Sequence, residues 1–254
     1  MTHTSALFNV RRLLTIALLA SALAGCSAFP AQQTRRAPAP SPSKSANTQA
    51  TPEPPAPSID RATSEPYTGD LSIFEDPDRD KNLQIDRVMD LLGISEGKSV
   101  ADIGAGSGWF TVRAARRVGA SGSVYAVEIN EEFVKHIERR AAEEKLSNVR
   151  AVLGREDDPT LPPSSIDAVL LLKTYHEVAQ PVRLLANLRR SLREGALVGV
   201  IDREGKGDDH GISKQVVVEE AASAGYTLVS EHDFVKPDKM DYFLIFRARG
   251  AEQK

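Results

Sequence analysis

The chain has 254 residues, a formal net charge of −3 and a single cysteine. Nine of its 15 prolines lie between Pro30 and Pro66, in a stretch of mostly small and polar residues. Such a stretch buries too little apolar surface to offset the entropy of ordering it, so we predict a disordered linker. The remaining residues, 67–254, suffice for one well-buried domain.

This domain carries 26 basic and 32 acidic residues, interspersed along predicted helices. We therefore expect no nucleic-acid partner.

The N-terminus has the build of a secretory signal. Arg11 and Arg12 precede an apolar run over residues 13–23, which at 11 residues is too short to cross a bilayer because a membrane-spanning helix needs about 20. The run ends in Leu23-Ala24-Gly25-Cys26, which resembles the bacterial lipobox, where a peptidase cuts before a lipidated cysteine. The resemblance implies a signal peptide over residues 1–25.

The same resemblance implies that Cys26 carries a lipid anchor and that residues 26–66 tether the domain to a membrane. Several acyl chains make such anchoring effectively permanent. Ser27 follows the cysteine where an aspartate would favour retention in the inner membrane. We therefore expect a cell-envelope protein, held at the periplasmic face of the outer membrane rather than at the inner membrane.

Helix and strand signals alternate along the domain. Apolar residues at helical spacing predict a first helix that ends at Gly93. The later predicted helices cover residues 110–118, 132–145, 182–193 and 213–224. The predicted strands cover residues 99–103, 123–129, 149–153, 166–172, 197–202, 227–233 and 242–247. This order predicts a parallel sheet with helices on both faces. Only residues 236–239 separate the last two strands, so we expect the final strand to run antiparallel.

A glycine-rich turn joins the first strand to the following helix. Gly104, Gly106 and Gly108 lie there, and such a turn brings backbone N–H groups and a positive helix end to a ligand. Glu128 ends the second strand, where a carboxylate can accept both hydroxyls of a ribose. The third glycine comes one residue earlier than in the dinucleotide fingerprint G-x-G-x-x-G. This spacing disfavours a nicotinamide cofactor.

The pattern G-x-G-x-G, with Asp102 two residues before it, resembles motif I of the class I S-adenosylmethionine-dependent methyltransferases. The resemblance extends from about residue 74 to residue 247, through the second strand, the segments 154–158 and 165–170, and the helix and turn at 184–195. It implies an α/β fold with a Rossmann-like, seven-stranded, mostly parallel sheet whose last strand is antiparallel. It also implies S-adenosyl-L-methionine as the cofactor.

The resemblance also implies which residues bind this cofactor. Arg155 follows Gly154 where the family usually has the acid that contacts adenine, so Glu156 and Asp157 both remain candidates for that contact. The implied cofactor-binding residues are Asp102, Gly104, Ala105, Gly106, Gly108, Glu128, Ile129 and either Glu156 or Asp157.

Candidate catalytic residues follow the fourth and fifth strands, because ligands bind at the carboxyl ends of such sheets. Tyr175 and His176 follow the fourth strand, and Asp202 ends the fifth. His176 is the candidate base, because the imidazole side chain suits proton transfer near neutral pH, whereas Tyr175 offers contact area to an acceptor. His176 and the run 208–210 include metal-ligand types, but such a run is more often a solvated loop, so we predict no metal.

These observations favour S-adenosylmethionine-dependent methyl transfer to a small-molecule or lipid-like acceptor. The resemblance to the lipobox places the domain outside the cytoplasm. The cofactor, however, is made inside the cytoplasm. A second hypothesis is therefore an envelope-tethered protein that binds the S-adenosyl nucleoside without catalysis. A nicotinamide-dependent oxidoreductase is the third. The sequence specifies neither the acceptor nor the oligomeric state.

The predicted anchor is tested by Cys26→Ser. We expect the precursor to remain uncut by the lipoprotein peptidase and unlabelled by radioactive palmitate, because the thiol is the site of acylation. Ser27→Ala serves as the control and should still be labelled. Palmitate on the Cys26→Ser variant would place the lipid elsewhere.

Overall fold

The computed structural model describes residues 61–206, 208–236 and 239–250. The predicted signal peptide, Cys26 and most of the predicted tether lie outside these residues. Within the described ranges, no helix combines the length and the apolar character needed to cross a membrane.

Seven strands form a single sheet. They are β1 (Ser99–Ile103), β2 (Ser123–Glu128), β3 (Val149–Leu153), β4 (Ile166–Leu172), β5 (Leu192–Arg203), β6 (Tyr226–His232) and β7 (Asp241–Ala248). Their order across the sheet is β3-β2-β1-β4-β5-β7-β6. The pairs among β1 to β5 are parallel, and β7 runs antiparallel to both β5 and β6. The predicted fold class, with its reversed last strand, is confirmed.

Helices cover both faces of the sheet. The α-helices of the described residues are α1 (Arg79–Leu83), α2 (Ile85–Leu91), α3 (Trp109–Val118), α4 (Glu131–Glu143), α5 (Pro181–Arg189) and α6 (Lys214–Ser223). Alternate residues of β4 pack against α2 and α3 on one side and against α5 and α6 on the other. All but one of the residues of β4 are buried, which explains its nearly uninterrupted apolar sequence.

Two helical predictions differ from the structure. The first predicted helix is divided at Gln84, which lies between α1 and α2. Its φ of 48° is left-handed and interrupts the helix. The helix predicted over residues 182–193 ends at Arg189, and β5 already begins at Leu192. Leu192 pairs with Ile166, and the register then shifts before Ala168 pairs with Leu197. A pairing between strands decides this boundary, so the local helical pattern missed it.

Residues 61–66, which we assigned to the tether, pack against the domain. The Arg61 Nε donates a hydrogen bond to Glu220 Oε1 on α6 at 2.7 Å, and only 1% of the Glu220 side chain is exposed. The Ser64 N–H donates to the carbonyl oxygen of His176 at 3.3 Å. Breaking a buried ion pair of this kind costs about 3–5 kcal/mol. Residues 61–66 therefore belong to the folded part of the described chain, although we assigned them to the tether.

Candidate functional site

A cavity of about 840 Å³ opens at the carboxyl ends of the central strands. Its walls are the loops that follow β1, β2, β3 and β4, together with residues 63–68, Phe74 and Arg79. The volume lies within the range of about 300–1,000 Å³ that is typical of small-molecule sites. Such a position at the end of a parallel sheet is where ligands bind in open α/β folds.

The glycine turn after β1 forms the floor of the cavity. The N–H groups of Gly104 and Ala105 both donate to the carbonyl oxygen of Val127, at 2.9 and 3.1 Å. Gly104 and Gly106 have φ values of 70° and 55°, in the left-handed region that favours glycine. A Cβ on Gly104 would also collide with the side chain of Thr174 after β4. Both glycines are therefore required by backbone geometry.

Glu128 lies beside this turn at the end of β2. Its Oε1 accepts a hydrogen bond from the Gly106 N–H at 2.7 Å, and its Oε2 accepts one from the Ile129 N–H at 3.0 Å. Burial raises the pKa of Glu128, and these backbone donors oppose the rise. A carboxylate offers about four acceptor positions, so lone pairs remain for ribose hydroxyls. Ile129 also lines the cavity.

Asp102 and Arg79 bring opposite charges to one part of the cavity wall. Asp102 is 2% exposed, and its Oδ2 accepts a hydrogen bond from Thr111 Oγ1 on α3 at 2.6 Å. Burial raises the pKa of Asp102 to about 7, and the positive charge of Arg79 partly opposes this rise. Arg79 stacks on Trp109, with 4.5 Å from its guanidinium carbon to the ring centroid. This pair suits the ammonium and carboxylate of an amino acid. Arg79 was missed from sequence because it is distant from the glycine turn.

The structure separates the two candidates for the adenine contact. Glu156 lines the cavity, as does Arg155. Asp157 does not: its carboxylate forms an ion pair with Arg183 of α5, with 3.3 Å between Oδ2 and Nη2. Glu156 is therefore the candidate whose position allows a ligand contact. The prediction for Asp157 is corrected, because its side chain ties the loop after β3 to α5.

Gly108 is also absent from the cavity lining. It precedes α3 with a φ of 76°, and a Cβ there would lie 3.4 Å from Ile137 of α4. The prediction that Gly108 contacts the cofactor is therefore corrected to a structural role. Gly108 turns the backbone into α3, and its lack of a side chain allows α4 to pack closely against it.

His176 lies at the other end of the cavity and is held by Asp202. The His176 Nδ1 is 2.9 and 3.1 Å from the two carboxylate oxygens of Asp202. Asp202 has no exposed surface and also accepts hydrogen bonds from the N–H groups of His176 and Arg203. A carboxylate on Nδ1 favours the tautomer in which the neutral Nε2 accepts hydrogen bonds. Asp202 does not line the cavity, so its predicted catalytic role is corrected to positioning His176.

The prediction that Tyr175 contacts an acceptor is wrong. Its side chain is fully buried in the core between the sheet and α5 and α6, and it does not line the cavity. The guanidinium of Arg61 lies 5.7 Å from its ring centroid. Residues Tyr175–Glu177 form a short 3₁₀ turn, which sends Tyr175 into the core and the next two side chains into the cavity.

Two further titratable residues line the same end of the cavity. Burial raises the pKa of Glu177 to about 7, with the charge of His176 acting in the opposite direction. The ring of His210, from the loop after β5, lies edge-on to His176 with 6.0 Å between centroids. His176, Glu177 and His210 each offer one potential metal-ligand atom. These three atoms all lie within 4.8 Å of one another. From the sequence, His210 was considered with His176 as a possible metal ligand and set aside because such a run is more often a solvated loop, and Glu177 was assigned no role.

The central part of this chain is similar to a known enzyme domain. Residues 100–195 match the family model of a methyltransferase domain. The match begins in β1 and includes the glycine turn, Glu128, β3 and β4, and thus much of the cavity wall. S-adenosyl-L-methionine remains the cofactor that the resemblance of the sequence to motif I predicts for this domain.

Two curated relatives align with less than half of the chain. The nocamycin O-methyltransferase of Saccharothrix syringae is 32% identical over 114 residues, which are 45% of this chain and 41% of the relative. The ubiquinone/menaquinone biosynthesis C-methyltransferase of Marinomonas sp. is 27% identical over 111 residues, which are 43% and 44% of the two chains. The alignments thus span less than half of each of these relatives.

The fold of the domain is similar to that of a solved structure. A SAM-dependent methyltransferase from Aquifex aeolicus superimposes with a TM-score of 0.63 at 24% sequence identity, covering 70% of this chain and 98% of that chain. This similarity identifies the Rossmann-like methyltransferase fold. The described residues also fit the cofactor. Gly106 has a left-handed backbone without a side chain, and Glu128 keeps lone pairs that can accept hydrogen bonds from ribose hydroxyls. Asp102 and Arg79 provide opposite charges for the amino-acid part.

The raised pKa of Asp102 predicts pH-dependent binding of S-adenosylhomocysteine. The ligand ammonium favours the ionised carboxylate, which is mostly protonated in the free protein below pH 7. We expect the affinity to rise about tenfold between about pH 6 and about pH 8, as the ionised fraction grows. Calorimetric titration should show that Asp102→Asn binds more weakly at the higher pH and lacks this rise. Asp157→Asn, outside the cavity, is the control and should retain it. An unchanged pH profile in Asp102→Asn would exclude the ammonium contact.

Proposed function

We propose that this protein transfers the methyl group of S-adenosyl-L-methionine to an oxygen or an acidic carbon of a small-molecule or lipid-like acceptor. The observation that carries this proposal is that one cavity of the described residues contains both halves of such a site. The glycine turn, Glu128 and Asp102 lie at one end, and His176 with its Asp202 partner lies at the other. The names of the curated relatives, an O-methyltransferase and a quinone C-methyltransferase, support small-molecule acceptors of both types.

Methyl transfer needs mainly alignment and, for some acceptors, removal of a proton. When bound, the cofactor supplies an electrophilic methyl group on its sulfonium. Glu128 and the backbone of the glycine turn hold the nucleoside, and Asp102 with Arg79 holds the amino-acid part. His176 then accepts the proton of an acceptor hydroxyl or acidic carbon at Nε2, while Asp202 stabilises the resulting imidazolium through Nδ1.

The cavity wall supports an apolar acceptor. Ile73, which lines the cavity, is 58% exposed. Tyr67 and Phe74, which also line the cavity, pack edge to face with ring centroids 5.3 Å apart. An apolar wall combined with a few polar groups at one end is typical of sites for apolar small molecules. These residues support a lipid-like or aromatic acceptor.

The lipobox resemblance adds a location to this proposal, in which Cys26 anchors the domain in the cell envelope. An envelope location separates the domain from the cytoplasm, where the cofactor is made. The competing function is therefore a tethered protein that binds the S-adenosyl nucleoside without turnover. Incubation with methyl-labelled S-adenosylmethionine and an envelope extract separates the two, since only the enzyme transfers label to an extract component.

The cofactor pocket predicts the behaviour of two variants in calorimetric titrations with S-adenosylhomocysteine. Gly106→Val should abolish binding, because a branched side chain strains the left-handed backbone and enters the cofactor space. Glu128→Ala should weaken binding by about 1.5–3 kcal/mol, the range for hydrogen bonds to a charged group. NAD is the control ligand and should not bind. Wild-type affinity in both folded variants would contradict the pocket assignment, and tight NAD binding would favour an oxidoreductase.

His176→Ala tests the acceptor end. We expect kcat to fall by about 10²–10⁴-fold, the usual contribution of general acid–base catalysis. The affinity for S-adenosylhomocysteine should stay nearly unchanged, because the cofactor is held from the opposite end. His136→Ala, on α4 and outside the cavity lining, is the control. If His176→Ala keeps the wild-type kcat and pH profile, the histidine serves the structure alone.

A further inference from the structure

The acceptor end of the cavity contains two imidazoles and one carboxylate that converge. His176 and Glu177 come from the 3₁₀ turn after β4, and His210 comes from the loop after β5. The potential ligand atoms of the three side chains all lie within 4.8 Å of one another. We propose that His176, Glu177 and His210 bind a divalent transition-metal ion.

His176 is oriented as a ligating histidine is. Its Nδ1 is occupied by the buried carboxylate of Asp202 at 2.9 Å. The ring is therefore fixed with Nε2 directed toward Glu177, with 3.8 Å between Nε2 and Glu177 Oε1. A carboxylate behind the second ring nitrogen is the arrangement that protein metal sites use to fix the tautomer and raise the basicity of the ligand.

The loop that carries His210 is fastened on both sides. An isolated antiparallel bridge joins Lys206 to Ile212 and closes the loop. The backbone N–H of His210 donates to Ser64 Oγ at 3.1 Å, and its φ of 56° is in the left-handed region. The loop thus holds the ring of His210 at an angle of 89° to that of His176.

The donor set indicates the kind of metal. Two imidazole nitrogens and one carboxylate oxygen suit Zn²⁺ and neighbouring transition metals, whereas Mg²⁺ and Ca²⁺ prefer oxygen ligands. Three protein ligands leave a coordination position open, as in catalytic zinc sites. All three side chains line the cavity, so the open position faces the space assigned to the acceptor. There the ion would lower the pKa of a bound acceptor hydroxyl so that its proton passes to water, in place of proton removal by His176 Nε2, a role that rests on the proposed function.

Metal titration of the full chain tests the site directly. The chain should carry Cys26→Ser so that its thiol does not compete for metal. We expect calorimetry to show one Zn²⁺ per chain, no binding of Mg²⁺, and an absorption spectrum of tetrahedral or five-coordinate Co²⁺. His210→Ala and Glu177→Gln should each lower the Zn²⁺ affinity more than about 100-fold, and Asp202→Asn, which acts through His176, by about 10–100-fold. His136→Ala is the control and should bind as the parent does.

Binding of S-adenosylhomocysteine, measured on the same variants, separates this proposal from the proposed function. Retained affinity in His210→Ala shows that the variant is folded, so its loss of Zn²⁺ then reports the missing ligand. The absence of stoichiometric Zn²⁺ in the parent, or unchanged Zn²⁺ affinity in His210→Ala, overturns the metal site. Intact Zn²⁺ binding without any S-adenosylhomocysteine binding overturns the proposed function and leaves the metal site in place.

Discussion

Parallel pairing of the central strands is the constraint on which the site depends. β1 pairs with β2 and β4, and β4 pairs with β5, all in the same direction. The carboxyl ends of these strands therefore meet at one edge of the sheet, although the residues there come from segments far apart in sequence. The glycine turn, Glu128, the Tyr175–Glu177 turn and the His210 loop all follow such ends. The cavity exists because each crossover returns the chain to the same edge.

This edge also concentrates buried acids. Asp102, Glu128 and Asp202 are buried, and burial raises the pKa of Asp102 and Glu128. Because burial disfavours the ionised carboxylate, the protonated form of Asp102 contributes folding free energy at low pH, and this contribution is lost as the pH rises from the ordinary pKa of 3.8 to about 7. A functional site tolerates this loss of folding free energy, because a cationic group of the ligand favours the ionised carboxylate of Asp102. The raised pKa values and the proposed cofactor contacts thus have the same physical origin.

The segment before the first helix takes part in the site. Arg61 Nη2 donates to the carbonyl oxygen of Tyr175, and Ser64 bonds both to the backbone of His176 and to that of His210. The chain that enters the domain therefore braces the two loops that carry the candidate acceptor residues. The charge of Arg61 is matched by Glu220, whose burial makes this brace energetically significant. The acceptor end thus depends on residues that composition alone assigns to a tether.

The sequence by itself determined the sheet, the reversed last strand, the glycine turn and the position of Glu128, because alternating periodicity and glycine spacing are local signals. Tertiary structure decided which neighbouring side chain reaches the cavity. A 3₁₀ turn buries Tyr175 and exposes His176 to the cavity, and an ion pair with Arg183 removes Asp157 while Glu156 stays. Arg79, Glu177 and His210 likewise become site residues only through the folding of separate segments onto one edge. Side-chain direction after a strand depends on contacts between distant elements, which spacing along the chain does not encode.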